Sequence, residues 1–109
     1  MILNKTKNTV IADIFSAKRG FGKIRGLVNK EKPEAIILTT RFGIHTFLVK
    51  FPIDILILDK NKKVISLRKN LKPNRIFLWN PLYNIVVELP SGALEKSKTQ
   101  VGDILKYNL

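Results

Sequence analysis

The chain has 109 residues, 45% hydrophobic and 26% charged, which fits one ordered domain with a small core and excludes a disordered polymer. It has no cysteine and one histidine, which excludes disulfides, thiolate chemistry, cysteine-type zinc sites and multi-histidine metal sites within one chain. Fifteen Lys and five Arg against eight acids give a net charge of +12, a field that attracts polyanions, although abundant Ile, Lys and Asn also fit an AT-rich coding bias.

In chain order, residues 9–15 read as a first strand, with Val10, Ala12 and Ile14 alternating against Ile11, Asp13 and Phe15. Residues 16–29 have helical spacing at Phe21, Ile24 and Val28, but Gly20, Gly22 and Gly26 reduce them to a short helix or a set of turns. Residues 35–40 and 44–51 are the next strands, the latter stopped by Pro52, which cannot donate to a ladder. Residues 53–58 are apolar except for Asp54, as in a central strand. A polar turn at 59–63 returns the chain antiparallel over 64–68, with Asp59 and Asn61 suited to bonding their own backbone. Residues 71–81 are a proline-flanked loop carrying Ile76, Phe77 and Trp79. A strand at 84–89, a short helix within 91–98, a Gly102-Asp103 turn and a last strand at 104–107 follow.

These elements predict a mostly β single domain over 1–109 (all-β or α+β): a small, barrel-like, rolled antiparallel sheet with one or two short helices. The N-terminal ten residues lack the apolar stretch of a secretory signal. The longest apolar run, 42–58, is interrupted by Lys50, Pro52 and Asp54 and is too broken to span a membrane. The expectation is a soluble, cytoplasmic protein.

An ordered set of motifs carries a family resemblance: Arg25-Gly26-Leu27, His45-Thr46-Phe47, Phe51-Pro52-Ile53-Asp54 running into Leu58-Asp59, Pro73, Glu88-Leu89-Pro90 with Gly92, and Gly102-Asp103. In order and spacing, over roughly residues 9–106, the chain resembles the domain-of-unknown-function family numbered 192. The resemblance implies a small β-rich domain of this length and no particular activity. The chain departs from the family pattern at Val49, where Met is common, and at Asn74, where Trp is common. It also lacks the secretion signal that some members carry.

Three residues stand out as a candidate ligand-binding cluster: Arg25, His45 and Asp54. A carboxylate in a central strand costs several kcal/mol unless it gains hydrogen bonds or a cation. Asp54 therefore either serves as a base or ligand-orienting group, or is consumed internally by backbone donors near Pro52 or by Arg25. Arg25 lies in a glycine-rich turn where a guanidinium can clamp a carboxylate or an anionic ligand. The G-x-G-x-x-x-G spacing there matches neither a dinucleotide fingerprint nor a P-loop. His45 is expected on the strand next to Asp54, with Thr46 pointing to the opposite side, which disfavours a His45–Thr46 dyad.

Two alternatives draw on other residues. A hydrolase would pair Asp54 with Glu88, although Glu88 is expected to face outward or cap a turn. A nucleic-acid interface would use Lys60, Lys62, Lys63, Arg68, Lys69, Lys72 and Arg75, a run of seven cations without an acid, with Phe77 and Trp79 close behind. The plainer reading of that run is a solvated hairpin. No cofactor or metal is read from the chain. The partners expected are an anionic ligand, a protein or nucleic acid.

Overall fold

A computed structural model describes residues 1–19, 31–41, 43–47 and 49–109. Arg25, its glycine-rich surroundings and most of the helix-like segment 16–29 lie outside the described residues. The strands are β1 (Ile2–Asn4), β2 (Thr9–Ala12), β3 (Phe15–Arg19), β4 (Ala35–Thr39), β5 (Gly43–His45), β6 (Ile53–Leu58), β7 (Val64–Leu71), β8 (Ile76–Leu78), β9 (Ile85–Pro90) and β10 (Leu105–Lys106). The helix α1 (Ala93–Ser97) sits between β9 and β10.

The mostly β class is as expected, but the closure is not. The strands form a five-stranded sheet ordered β3-β4-β9-β6-β7, a three-stranded sheet ordered β10-β1-β2 and a two-stranded sheet β5-β8. They do not close into a barrel. Nor is the main sheet wholly antiparallel, because β3 pairs parallel with β4, from Phe15↔Ala35 to Arg19↔Thr39. Such a pairing needs a long crossover, which the fifteen residues between the two strands supply.

β6 organises the molecule. It is buried along all of its length and lies between β7 and β9, the central position that its composition predicts. Its alternation divides the core in two. Leu56 and Leu58 join Ile2, Ile11, Leu94, Leu105 and Tyr107 beneath the three-stranded sheet and α1. Ile53, Ile55 and Ile57 join Ile36, Leu38, Val49 and Val86 on the opposite face, with Ile44, Phe77 and Trp79 packed over them. The five-stranded sheet is thus the middle of three layers. The β6–β7 turn forms as its polar residues predict: Asp59 Oδ1 accepts from the Asn61 and Lys63 N–H groups at 2.8 and 2.9 Å, and Lys62 takes a left-handed φ of 63°.

Beyond β1, which the sequence reading does not expect, and β7, which runs on to Leu71, three elements differ from that reading. The run 9–15 is two strands that break at Asp13-Ile14 and enter different sheets; Ile14 leaves the ladder and is 85% exposed. The strand expected over 44–51 stops at His45, because Thr46 is recruited by a neighbouring loop, as described below. A short strand, β8, forms inside the 71–81 loop by pairing with β5. In each case alternation marked apolar residues correctly and could not mark which ladder they join.

Candidate functional site

Asp54 is 1% exposed, and its carboxylate is consumed by backbone donors. Oδ1 accepts from Asn70 N–H at 2.8 Å; Oδ2 accepts from Gly92 N–H at 3.1 Å and Leu94 N–H at 3.0 Å. It caps the first turn of α1 from a different strand, where the helix's own N-cap, Gly92, has no side chain to do so. Asn70, with a φ of 54°, is drawn to the same carboxylate, so Asp54 ties β7 to α1 across β6. The role is internal, one of the two that the sequence allows, but its donors come from Asn70, Gly92 and Leu94 and not from the Pro52 turn.

His45 lies on the other side of the sheet. It is exposed, stacks on Phe47 with ring centroids 5.1 Å apart, and accepts through Nδ1 from Phe47 N–H at 3.2 Å. Its neighbour Ile44 packs on the core layer opposite Asp54. The structure therefore separates His45 from Asp54, with the sheet between them, and the third member of that cluster, Arg25, is outside the described residues.

Thr46, not His45, is the buried member of its motif. Its hydroxyl donates to the Lys72 carbonyl at 2.8 Å and accepts from Arg75 N–H at 2.8 Å. Its backbone N–H and carbonyl bond Arg75 O and Asn74 N. The Pro73 loop is thereby latched onto the end of β5, with Asn74 at a left-handed φ of 63°.

Glu88 corrects another expectation: it is buried, 4% exposed, rather than facing outward. In the β6–β9 register it stands opposite Ile55, whereas Asp54 stands opposite Leu89. The two carboxylates project from opposite faces, so the fold does not pair them for hydrolysis. Among the described residues no group of three or more His, Asp or Glu side chains is placed to hold a metal ion.

The seven cations of 60–75 are not one uniform surface. Lys62 lies 4.4 Å above the Tyr107 ring and donates to the Tyr107 carbonyl. Lys69 pairs with Glu95 at 2.8 Å. Lys60, Lys63, Arg68, Lys72 and Arg75 are exposed. Phe77 and Trp79 are packed against the core layer, and Trp79 Nε1 donates to the Tyr83 carbonyl at 2.7 Å. They therefore do not stand out as a platform for base stacking.

A polar network that the sequence reading missed joins the chain ends. Asn4 Nδ2 donates to Thr99 Oγ1 at 3.0 Å and to Asp103 Oδ2 at 2.9 Å. Lys7 Nζ donates to Asp103 and Gln100, and Gln100 N–H donates to Asp103. Burial works against charge on Asp103. The hydrogen bonds from Asn4, Gln100 and Lys7, with the Lys7 charge, outweigh it and hold the carboxyl below its ordinary 3.8. Asp103 therefore does more than form a turn.

Among the described residues, a concavity lies elsewhere again. A groove of about 620 Å³ opens where β2, bending through Asp13-Ile14 into β3, meets the start of β4 and the β9–α1 junction. Two further hollows are smaller, at about 320 and 190 Å³. Val10, Ile14, Phe15, Pro33, Pro90 and Ala93 line the large groove, together with Asp13, Glu34, Ser16, Ser91 and Lys96. It is the seam along which the three-stranded and five-stranded sheets fail to close. Its residues come from three distant segments, 10–16, 33–35 and 90–96, and only Ile14 and the flanking Pro33 and Pro90 hint at it in the sequence.

The family model described as DUF192, Uncharacterized ACR, matches residues 2–107. The chain belongs to the DUF192 family. It is 34% identical to a UPF0127 protein of Pyrococcus horikoshii over 98% of both chains. It is 30% identical to one of Pyrococcus furiosus over 98% of this chain and 97% of that one. Its fold resembles a protein of unknown function from Novosphingobium aromaticivorans, with a TM-score of 0.74 at 16% identity over 84% of this chain and 74% of that one. A Sinorhizobium meliloti protein matches with a TM-score of 0.68 at 19% identity, over 75% and 70% of the two chains.

In this DUF192 chain, Asp54, Thr46 and Asp103 all tie segments together. Among the described residues, the motif positions that carried the resemblance mostly build the fold. No helix among the described residues is long and apolar enough to cross a membrane.

Proposed function

We propose that this DUF192 domain is a ligand-binding module whose site is the open seam between β2–β3 and α1, and not the Arg25, His45 and Asp54 cluster. The supporting observation is the groove itself: a concavity of about 620 Å³ with apolar walls and a few polar side chains, which is the usual make-up of a small-molecule or peptide-end site. Asp54 supports the reading indirectly. By capping α1 it fixes Gly92 and Ala93, which form one wall.

The lining also speaks to ligand chemistry. In a protein of net charge +12, this groove carries two acids, Asp13 and Glu34, and one base, Lys96. The net charge alone favours an anionic ligand, whereas the exposed Asp13 beside the apolar walls favours one with an apolar body and a cationic or hydrogen-bond-donating end.

The test is an amide-resolved NMR titration of the protein with hexylammonium and with hexanoate. Hexylammonium is expected to shift amides within 10–16 and 91–96, and hexanoate to shift them less. Ala93→Phe, which fills the groove, is expected to remove the response, and Asp13→Asn to weaken the preference for the ammonium while keeping the fold. Shifts located elsewhere, or unchanged in both variants, would overturn the assignment.

A further inference from the structure

The outer face of the β5–β8 sheet has a composition that neither the core nor the groove accounts for. The register sets Leu78 opposite Gly43, Phe77 opposite Ile44 and Ile76 opposite His45. Phe77 and Ile44 turn inward to the core, so Ile76 and Leu78 turn outward, 63% and 70% exposed. Leu78 lies over Gly43, where an added Cβ would meet its Cδ2 at 2.5 Å. Phe47, stacked on His45, is 44% exposed, and Leu82, in the turn after β8, is 76% exposed. That turn is fastened to the chain just before β5 by Arg41 Nη1, which donates to the Pro81 carbonyl at 3.1 Å.

The charges on the segments that carry these apolar side chains have one sign. Arg41, Lys72 and Arg75 are exposed beside them, and neither 41–47 nor 72–84 contains an acid. Exposed apolar side chains rimmed by polar ones mark an interaction surface, and a rim of cations asks for an anionic partner.

Three kinds of partner fit less well. A second copy would set Arg41, Lys72 and Arg75 against their own like charges. Single-stranded nucleic acid needs a run of exposed aromatic platforms, and the described residues of this face offer only Phe47 on His45, because Phe77 and Trp79 are packed inward and the outward residues on β8 are aliphatic. An acidic peptide offers charge for the rim but few apolar groups for Ile76 and Leu78. A lipid surface needs no shaped seat. It takes up aliphatic side chains and is drawn to Lys and Arg when its headgroups are anionic.

We propose that the outer face of β5–β8, through Ile76, Leu78, Phe47 and the Arg41–Arg75 rim, docks on an anionic lipid surface without crossing it. This does not depend on the groove or its ligand.

Sedimentation of the protein with phosphatidylcholine vesicles, with and without phosphatidylglycerol, tests the proposal. Binding is expected only to the vesicles with phosphatidylglycerol. Ile76→Ser with Leu78→Ser is expected to cut partitioning at least about ten-fold. Arg75→Gln is expected to cut it about five-fold, since each basic residue near an anionic surface contributes about 1 kcal/mol. All these side chains are exposed, so the thermal midpoint should hold in each variant, and Ala93→Phe should bind vesicles like the wild type. No binding, or binding undiminished in the Ile76→Ser, Leu78→Ser variant, would overturn the proposal, the latter as charge adsorption through the rest of the basic surface. Tighter binding to an acidic peptide or an oligonucleotide than to phosphatidylglycerol vesicles would also overturn it.

Discussion

The two faces of the five-stranded sheet solve different problems. On the face toward α1, Asp54 is satisfied by three backbone N–H groups, and nearby Asn4 and Asp103 are bonded into a network that joins both chain ends. On the face toward β5–β8, the buried polar residues include Thr46 and Glu88, while the outermost layer exposes Ile76 and Leu78. The first face is closed by polar clasps and leaves a groove at its rim. The second leaves an apolar surface open to a partner. Asp54, the acid within the apolar run, is bonded into the fold, and the surface positions carry the functional proposals.

That contrast can be broken at its strongest clasp. Asp54→Ala leaves buried N–H donors of Asn70, Gly92 and Leu94 unpaired, and is expected to cost about 3–5 kcal/mol in urea denaturation. Asp54→Asn is also expected to be poorly tolerated, because its amide group offers donors where the site supplies donors. A loss below about 1 kcal/mol for both would mean that the clasp is not the structural centre of its face.

Asn4→Ala is expected to cost about 2 kcal/mol, since it removes two buried hydrogen bonds. It also carries a pH signature. The Asp103 carboxyl is held below its ordinary 3.8, so its contribution is present above 3.8 and is lost as pH falls through the lower folded-state value. NMR titration of Asp103 should show its midpoint rise when Asn4 is removed, and acid unfolding should begin at higher pH.

On the other face, Thr46→Val keeps the shape and deletes the hydroxyl that holds Lys72 O and Arg75 N–H. The expected cost is about 1–2 kcal/mol. Hydrogen exchange should locate the loss in 72–75, with β6 still protected. Gly92→Ala is expected to cost about 1 kcal/mol or more from backbone conformation alone, because Gly92 has a φ of 97° in otherwise open space. The smallest effect is expected at Glu95. Its hydrogen bond and charge contact with Lys69 lower its pKa, yet it is fully exposed, and Glu95→Gln should leave the thermal midpoint unchanged.

Much of the fold was legible in the residues because it rests on local rules. The unbroken apolar run of β6 marked it as central, and its alternation correctly separated Asp54, Leu56 and Leu58 from Ile53, Ile55 and Ile57. Asp59 marked its turn because an Asp side chain bonds the backbone within a few residues. The family, too, was legible from the order of short motifs.

Sequence spacing did not reveal which distant segments meet. Residues 9–15 alternate as one strand, yet the chain changes sheets at Asp13-Ile14; Glu88 alternates as an outward residue but is buried because β9 lies between β4 and β6. The donors that reach Asp54 lie 16, 38 and 40 residues away in the chain. The sequence by itself thus determined the family, the mostly β class and the two faces of β6. The tertiary structure alone decided that the acid in PIDILILD caps a helix, that His45 lies behind the sheet from it, and that the open groove forms at a seam. Alternation records which side of a strand is buried, whereas pairing across many residues depends on how the whole chain closes its loops and sheets.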